Sequence, residues 1–191
     1  LSPILFNIYF SGVLSSCTGL SLLYADDAAI FLKVGKNSID RGLRTMQTNA
    51  ERVRSWCASR SLLIHPAKCN LMVYTRSRRL ARKADSGEYN IHLDSQEIRS
   101  VPSARYLGVF FDTRYNFKEH CSRVLAKVKQ RTAFILRLGG FQWGCPPKYM
   151  LRLYQAIALP VVQYFAPAFL LASSRMYREA LASMQRAFAK R

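Results

Sequence analysis

The stretch "LSLLYADDAAIFL", residues 20–32, sets two carboxylates, Asp26 and Asp27, side by side in an otherwise apolar run. Consecutive residues of a strand point to opposite faces, so adjacent aspartates serve one place only at a turn. Residues 20–25 and 28–32 are therefore expected to form two strands of a buried hairpin with the acids at its tip. Left bare among apolar neighbours, both groups would be costly to ionise. Two readings stay open: a plain solvent-facing Asp–Asp turn, or a site for a cation. For the second, Mg²⁺ (or Mn²⁺) is the natural partner, being a hard ion that takes carboxylate and phosphate oxygens together. In two-metal phosphoryl or nucleotidyl transfer, such ions activate the attacking hydroxyl and stabilise the leaving oxygen.

The remaining charge has the opposite sign. Residues 1–32 contain no Lys or Arg, while residues 33–83 carry thirteen basic and two acidic residues, and residues 84–191 sixteen and seven, within a net +18. Excess basicity of this size favours a polyanion, most simply nucleic acid. Five cysteines without C-x-x-C spacing argue against a disulfide framework and for a reducing, intracellular setting. The three histidines build no metal signature. Residues 153–174 are uncharged, but Pro160, Pro167, Gln155 and Gln163 interrupt them, so a buried bend between helices is expected rather than a membrane span. The apolar opening has no basic stretch before it and does not read as a signal peptide. The first residue is Leu, and the chain is expected to be a piece of something longer.

Ser2-Pro3 reads as a helix start, followed by Ile4, Leu5, Ile8 and Tyr9 at roughly helical spacing. A second helix begins at Ser38, with Ile39, Leu43, Met46, Ala50, Val53 and Trp56 on one face and Arg41, Arg44, Arg52 and Arg54 on the other. "LLIHPAKCNLMVYT" predicts a short strand, a bend at Pro66 and a strand over residues 71–75. The basic run over residues 76–88 predicts a flexible loop. Alternating polarity around Asp94-Ser95 predicts a small hairpin, and "RYLGVFFD", residues 105–112, a further strand with Gly108 allowing close backbone approach. From Lys118 the spacing of Val124, Val128, Ile135 and Leu138 predicts a helix exposing Arg123, Lys127, Lys129 and Arg131 and ending at Gly139-Gly140. Helices from Pro147 to about residue 159 and over residues 175–191 complete the reading, the last with Met176, Ala180, Met184 and Ala187 on one face. The fold class is α+β, divided near residue 115 into a mixed part, residues 1–115, and a helical part, residues 116–191.

Several of these blocks, taken in order, resemble one family. "YADD" between apolar strands looks like the metal-binding box of reverse transcriptases, and "LSPILFNIY" the segment just upstream of it. "LLIHPAKC" is similar to the Leu-x-x-Asn-x-x-Lys-Thr block that follows the box, and "RYLGVFFD" to a Tyr-Leu-Gly-x-x-x-Asp strand. "LRLYQAIALPVVQYFAPAF" looks like the helical region behind the palm in non-LTR (LINE-type) retrotransposon polymerases. The resemblance implies an RNA-directed DNA polymerase fragment: an incomplete palm, an antiparallel sheet with the YADD hairpin plus helices, then a helical thumb. It implies an RNA template, a DNA primer, deoxynucleoside triphosphates and a nuclear site of action. Asp26 would bind catalytic metals and Asp27 assist; Tyr24 and Ala25 would lie against the primer end and incoming nucleotide. Lys68 would support phosphates, and the Leu107-Gly108 strand would hold the primer backbone. Arg123, Lys127, Lys129 and Arg131 would track the duplex backbone, consistent with phosphates being held without sequence readout.

The departures bear on function. His65 stands where the family has Asn, and Cys69 where it has Thr; an imidazole cannot copy an amide's paired donor and acceptor. The family's first catalytic Asp precedes residue 1, so the fragment is expected to be inactive without the polymerase chain upstream. Asp112 ends a different strand and is expected to serve a turn. A non-catalytic or decayed nucleic-acid-binding remnant is the alternative, and a group II intron maturase shares the YADD box.

Overall fold

A computed structural model describes residues 2–15, 17–139, 144–164, 166 and 175–189. The chain forms two compact units, Leu1–Pro102 and Ser103–Arg191. Its architecture is α+β, with small antiparallel two-stranded sheets and helices. The expected stop at Gly140 and most of the uncharged stretch beyond Tyr164 lie outside the described residues, as do the side chains of Met176 and Ala187. Among the described residues no helix is long and apolar enough to cross a membrane.

The first unit opens with helix α1 (Ser2–Ser11) and a 3-10 turn (Gly12–Leu14). Strands β1 (Leu20–Tyr24) and β2 (Asp27–Phe31) follow, then helix α2 (Ile39–Ala58). The expected apolar face of α2 is real: Ile39, Leu43, Met46 and Ala50 pack against a core of Leu71, Ala84, Tyr89, Ile91, Leu93 and Ile98. Ile91, Leu93 and Ile98 of that core belong to the hairpin of β3 (Asn90–Leu93) and β4 (Gln96–Arg99), turning at Asp94-Ser95 as the alternation predicts. The amide of Gln47 on α2 extends the hairpin's bonding: its Oε1 accepts the His92 N–H at 2.7 Å and its Nε2 donates to the His92 carbonyl at 3.0 Å.

Three expectations fail in this unit. Residues 62–65 and 71–75 form no strand; Leu71 keeps one parallel bridge to Ser100, and the bend at Pro66 is a 3-10 turn, Pro66–Lys68. The run over residues 76–88 is not a loop throughout but contains helix α3 (Arg78–Asp85). Leu80, Ala81 and Ala84 are its buried side chains, at the i, i+1, i+4 spacing of one helical stripe, and the surrounding basic residues mask them in a reading by composition. The β1–β2 hairpin is not buried: Leu20, Leu22, Tyr24 and Phe31 lie on one face and all are exposed.

In the second unit, strands β5 (Ser103–Tyr106) and β6 (Val109–Asp112) form a hairpin where one continuous strand was expected. Helix α4 (Lys118–Arg137) packs on it, so that Val109, Phe117, Cys121, Val124 and Val128 share a core with Val162, Tyr177 and Leu181. The expected helix from Pro147 is α5 (Pro147–Leu153), a π turn (Tyr154–Ala158) and α6 (Leu159–Gln163). Pro160 has no N–H for the carbonyl four residues before it, which accounts for the widened turn. Helix α7 (Arg175–Ala189) closes the unit, stacking Phe188 on Tyr154 with ring centroids 4.4 Å apart.

Candidate nucleic-acid and metal site

The acidic pair sits at the end of a regular antiparallel ladder. Tyr24 pairs with Asp27 across the hairpin, leaving Ala25 and Asp26 as the two turn residues. Ala25 has φ 52°, the left-handed value that a tight hairpin demands at its first central position. Both carboxylates are exposed, as is Tyr24 at 65 %. Neither enters an ion pair among the described residues, whose ion pairs all lie elsewhere. Two carboxylates with free oxygens suit Mg²⁺, which keeps several waters and takes one or two carboxylates plus substrate phosphates rather than an all-protein cage. Among the described residues no group of three or more His, Cys, Asp or Glu is placed to hold a metal.

Two residues that the sequence did not single out set the hairpin's position. Asn49, fully buried on α2, accepts the Thr18 N–H at 2.9 Å through Oδ1 and donates from Nδ2 to the Thr18 carbonyl at 2.8 Å. Its signal was a lone amide set between Met46, Ala50 and Val53 on an apolar helix face. Gly19, next along, has φ 109°, and a Cβ there would stand 2.4 Å from the Phe31 carbonyl oxygen. The chain thus enters β1 through a clamp on one side and a position only glycine fills on the other.

Lys68 ends the 3-10 turn, exposed and without an ion pair among the described residues. His65 precedes that turn, and Cys69 follows it half-buried against the core, where burial pushes its thiol up from the usual range. The thiols of Cys17, Cys57 and Cys121 are raised by burial too, the last to about 11, which marks them as packing groups. All five cysteines are free.

In the second unit Leu107 and Gly108 are not within a strand. They are the two turn residues of the β5–β6 hairpin, with φ 46° and 83°, the paired positive values of a type I′ turn. The Tyr164 hydroxyl donates to the Leu107 carbonyl, and its ring leaves 3.4 Å to a Cβ built on Gly108. Asp112 serves a turn: its Oδ1 accepts the N–H groups of Arg114 at 3.0 Å and Asn116 at 3.1 Å.

The four basic residues of α4 divide. Lys127 and Lys129 are exposed and form no ion pair among the described residues. Arg123 donates to Glu119 from Nε at 2.9 Å and Nη2 at 2.7 Å and lies 4.1 Å from the Phe110 ring centroid. Arg131 donates to the Ile157 carbonyl at 2.5 Å. These two arginines hold their own unit together as well as adding charge.

Residues 1–111 match the family model described as reverse transcriptase (RNA-dependent DNA polymerase). Over 103 residues the chain is 30 % identical to the Retrovirus-related Pol polyprotein from type-1 retrotransposable element R1 4 of Nasonia vitripennis, a stretch covering 54 % of this chain and 24 % of that protein. No solved structure matches.

Proposed function

Because the chain belongs to the reverse transcriptase (RNA-dependent DNA polymerase) family, we propose that it is the later palm and the thumb of a LINE-type retrotransposon polymerase, acting on an RNA template and a DNA primer. The observation that carries the reading is the hairpin that lifts Asp26 and Asp27 to its tip, exposed and unpaired by any cation side chain among the described residues.

In this reading residues 1–115 act as palm and residues 116–191 as thumb. Asp26 and Asp27 hold Mg²⁺ or Mn²⁺, which when bound neutralises phosphate charge and favours the deprotonated primer hydroxyl. Tyr24 and Ala25 lie beside the primer end, and the tightness of the Ala25 turn keeps that approach clear. Lys68 neutralises triphosphate or primer phosphates. The Leu107-Gly108 turn, braced by Tyr164, presents backbone to the primer. Lys127 and Lys129 follow the duplex phosphates, with Arg123 and Arg131 adding long-range attraction. The exposed apolar side chains of Leu20, Leu22 and Phe31 pack against the rest of the polymerase, which also supplies the remaining metal carboxylate. The 191 residues by themselves therefore bind duplex but do not polymerise, and the site of action is nuclear.

The test is primed DNA synthesis on an RNA template by the polymerase extended upstream. Wild type extends the primer, and Asp26→Asn lowers the rate roughly a hundred- to thousandfold, since a metal ligand contributes several kcal/mol to the transition state. Equal extension by the variant, or extension by the 191-residue chain unaided, contradicts the reading.

A further inference from the structure

We propose that the arginine face of α3 is a further contact for a nucleic-acid backbone, made by residues other than those of the hairpin and of α4. The face consists of Arg78, Arg79 and Arg82, with Arg76 just before the helix, and all four are exposed.

Its rigidity distinguishes it from a solvated basic loop. Leu80, Ala81 and Ala84 anchor the opposite side of the helix in the core, Ala84 with no exposed surface. The buried Ser100 hydroxyl, just past β4, donates to the Ala84 carbonyl at 2.8 Å and fixes the helix end. Side chains three and four residues apart share a helical face, so Arg78 and Arg79 each lie beside Arg82. The arginines therefore stand on a held scaffold, and little backbone freedom is lost when they bind.

The chemistry favours phosphate. No ion pair among the described residues involves these four arginines; Glu88, the acid at the end of the run, is held by Lys83. Arginine presents a planar fork that matches phosphate oxygens in pairs, which lysine does not. An eight-residue helix is roughly 12 Å long, enough to face about three phosphates of one strand at roughly 3.4 Å each. A membrane surface fits less well, because interfacial helices insert apolar side chains. The large apolar residue of α3, Leu80, is buried, and no exposed large hydrophobic residue falls between Arg76 and Glu88. The proposal does not involve Asp26 or Asp27, so its failure leaves the polymerase reading standing, and the reverse.

The test compares the full chain with a variant carrying Arg76→Gln, Arg78→Gln, Arg79→Gln and Arg82→Gln. A second variant removes equal charge elsewhere: Lys33→Gln, Lys36→Gln, Arg41→Gln and Arg44→Gln. Affinity for an RNA–DNA hybrid is measured by fluorescence anisotropy across a salt series, and unchanged thermal unfolding by circular dichroism confirms each fold. The α3 variant should bind roughly tenfold or more weakly at about 0.1 M salt, with a salt slope shallower by about three, and the second variant should lose less. Should the fourfold variant melt early, Arg79→Gln with Arg82→Gln should still give a slope shallower by about two. Unchanged affinity and slope overturn the proposal, and so does equal loss in both variants, which would be bulk charge. Loss of binding to phosphatidylserine vesicles with hybrid binding intact overturns it in favour of a membrane.

Discussion

At the scale of single residues, the hairpin depends on backbone angles as much as on its acids. Ala25 occupies a left-handed conformation that costs an alanine about 1–2 kcal/mol and persists only because the flanking ladder enforces it. Gly19 is less replaceable. Gly19→Ala should cost the first unit about 1–3 kcal/mol, seen as a lower urea midpoint, because the new methyl meets the Phe31 carbonyl as well as an unfavourable φ. A different residue makes the second unit sensitive to acid. His120 is buried on α4, and burial, with Lys127 adding to it, lowers its pKa below the usual value of 6.5. The unfolded chain therefore takes up this proton at higher pH than the folded chain does. The contribution is intact above about 6.5 and is lost as the pH falls from there through the depressed native value. Melting temperature should drop between pH 7 and 5.5 in wild type and less in His120→Phe; parallel curves would assign the drop elsewhere. Of these residues Asp26 was legible as a turn residue, since two hydrophilic groups interrupted an apolar run, but the turn is Ala25-Asp26 and Asp27 is already the first paired residue of β2. The demands on Gly19 and His120 were not, because each is set by atoms distant in sequence.

At the scale of elements, what could be read was whatever repeats along the chain. The apolar stripe of α2 and the alternation of β3 and β4 were legible for that reason. Helix α3 was not, because it is short and its stripe of Leu80, Ala81 and Ala84 is outnumbered by charge. "RYLGVFFD" passed for one strand because apolar residues continue through Leu107, and only the paired positive φ values reveal the turn. The join "DTRYNF" is equally concealed: Tyr115 and Phe117 both take positive φ, and Asp112 and Asn116 cap the N–H groups that the turn frees. Placement of the β1–β2 hairpin falls to the reciprocal pair of hydrogen bonds between Asn49 and Thr18. Asn49→Ala leaves a donor and an acceptor without partners and should cost about 1–3 kcal/mol. Amide exchange at Leu20 to Tyr24 should quicken more than at β3 and β4. Uniform acceleration would make Asn49 a general core residue instead of a clamp on the hairpin.

At the scale of the whole molecule, two surfaces stand out. Ile4, Leu5, Ile8 and Tyr9 of α1 are exposed together with the apolar face of β1 and β2. Large exposed apolar surfaces mark places where another segment packs. In the proposed function that segment belongs to the same polymerase chain. Binding of a hydrophobic dye per molecule should accordingly fall when the upstream polymerase segment is included, and a rise would place the partner elsewhere. The other surface is basic. With net +18, affinity for a template–primer duplex should fall steeply with salt, the slope reporting the number of phosphates engaged. The expectation of a polyanionic partner comes from charge segregation, because attraction for a polyanion adds up over the surface. The exposure of the hairpin was not legible, since an apolar run reads as buried whether its covering lies in these residues or in others.

In the proposed function Asp26 and Asp27 together hold a divalent cation at the hairpin tip. The most direct measurement is Mn²⁺-induced line broadening of backbone amides in the isotopically labelled chain, comparing wild type with Asp26→Asn. Millimolar Mn²⁺ should broaden residues 24–28 of wild type first, and Asp26→Asn should abolish this selectivity. Broadening that begins at Asp94 or Glu97, or that is the same in both proteins, would contradict it.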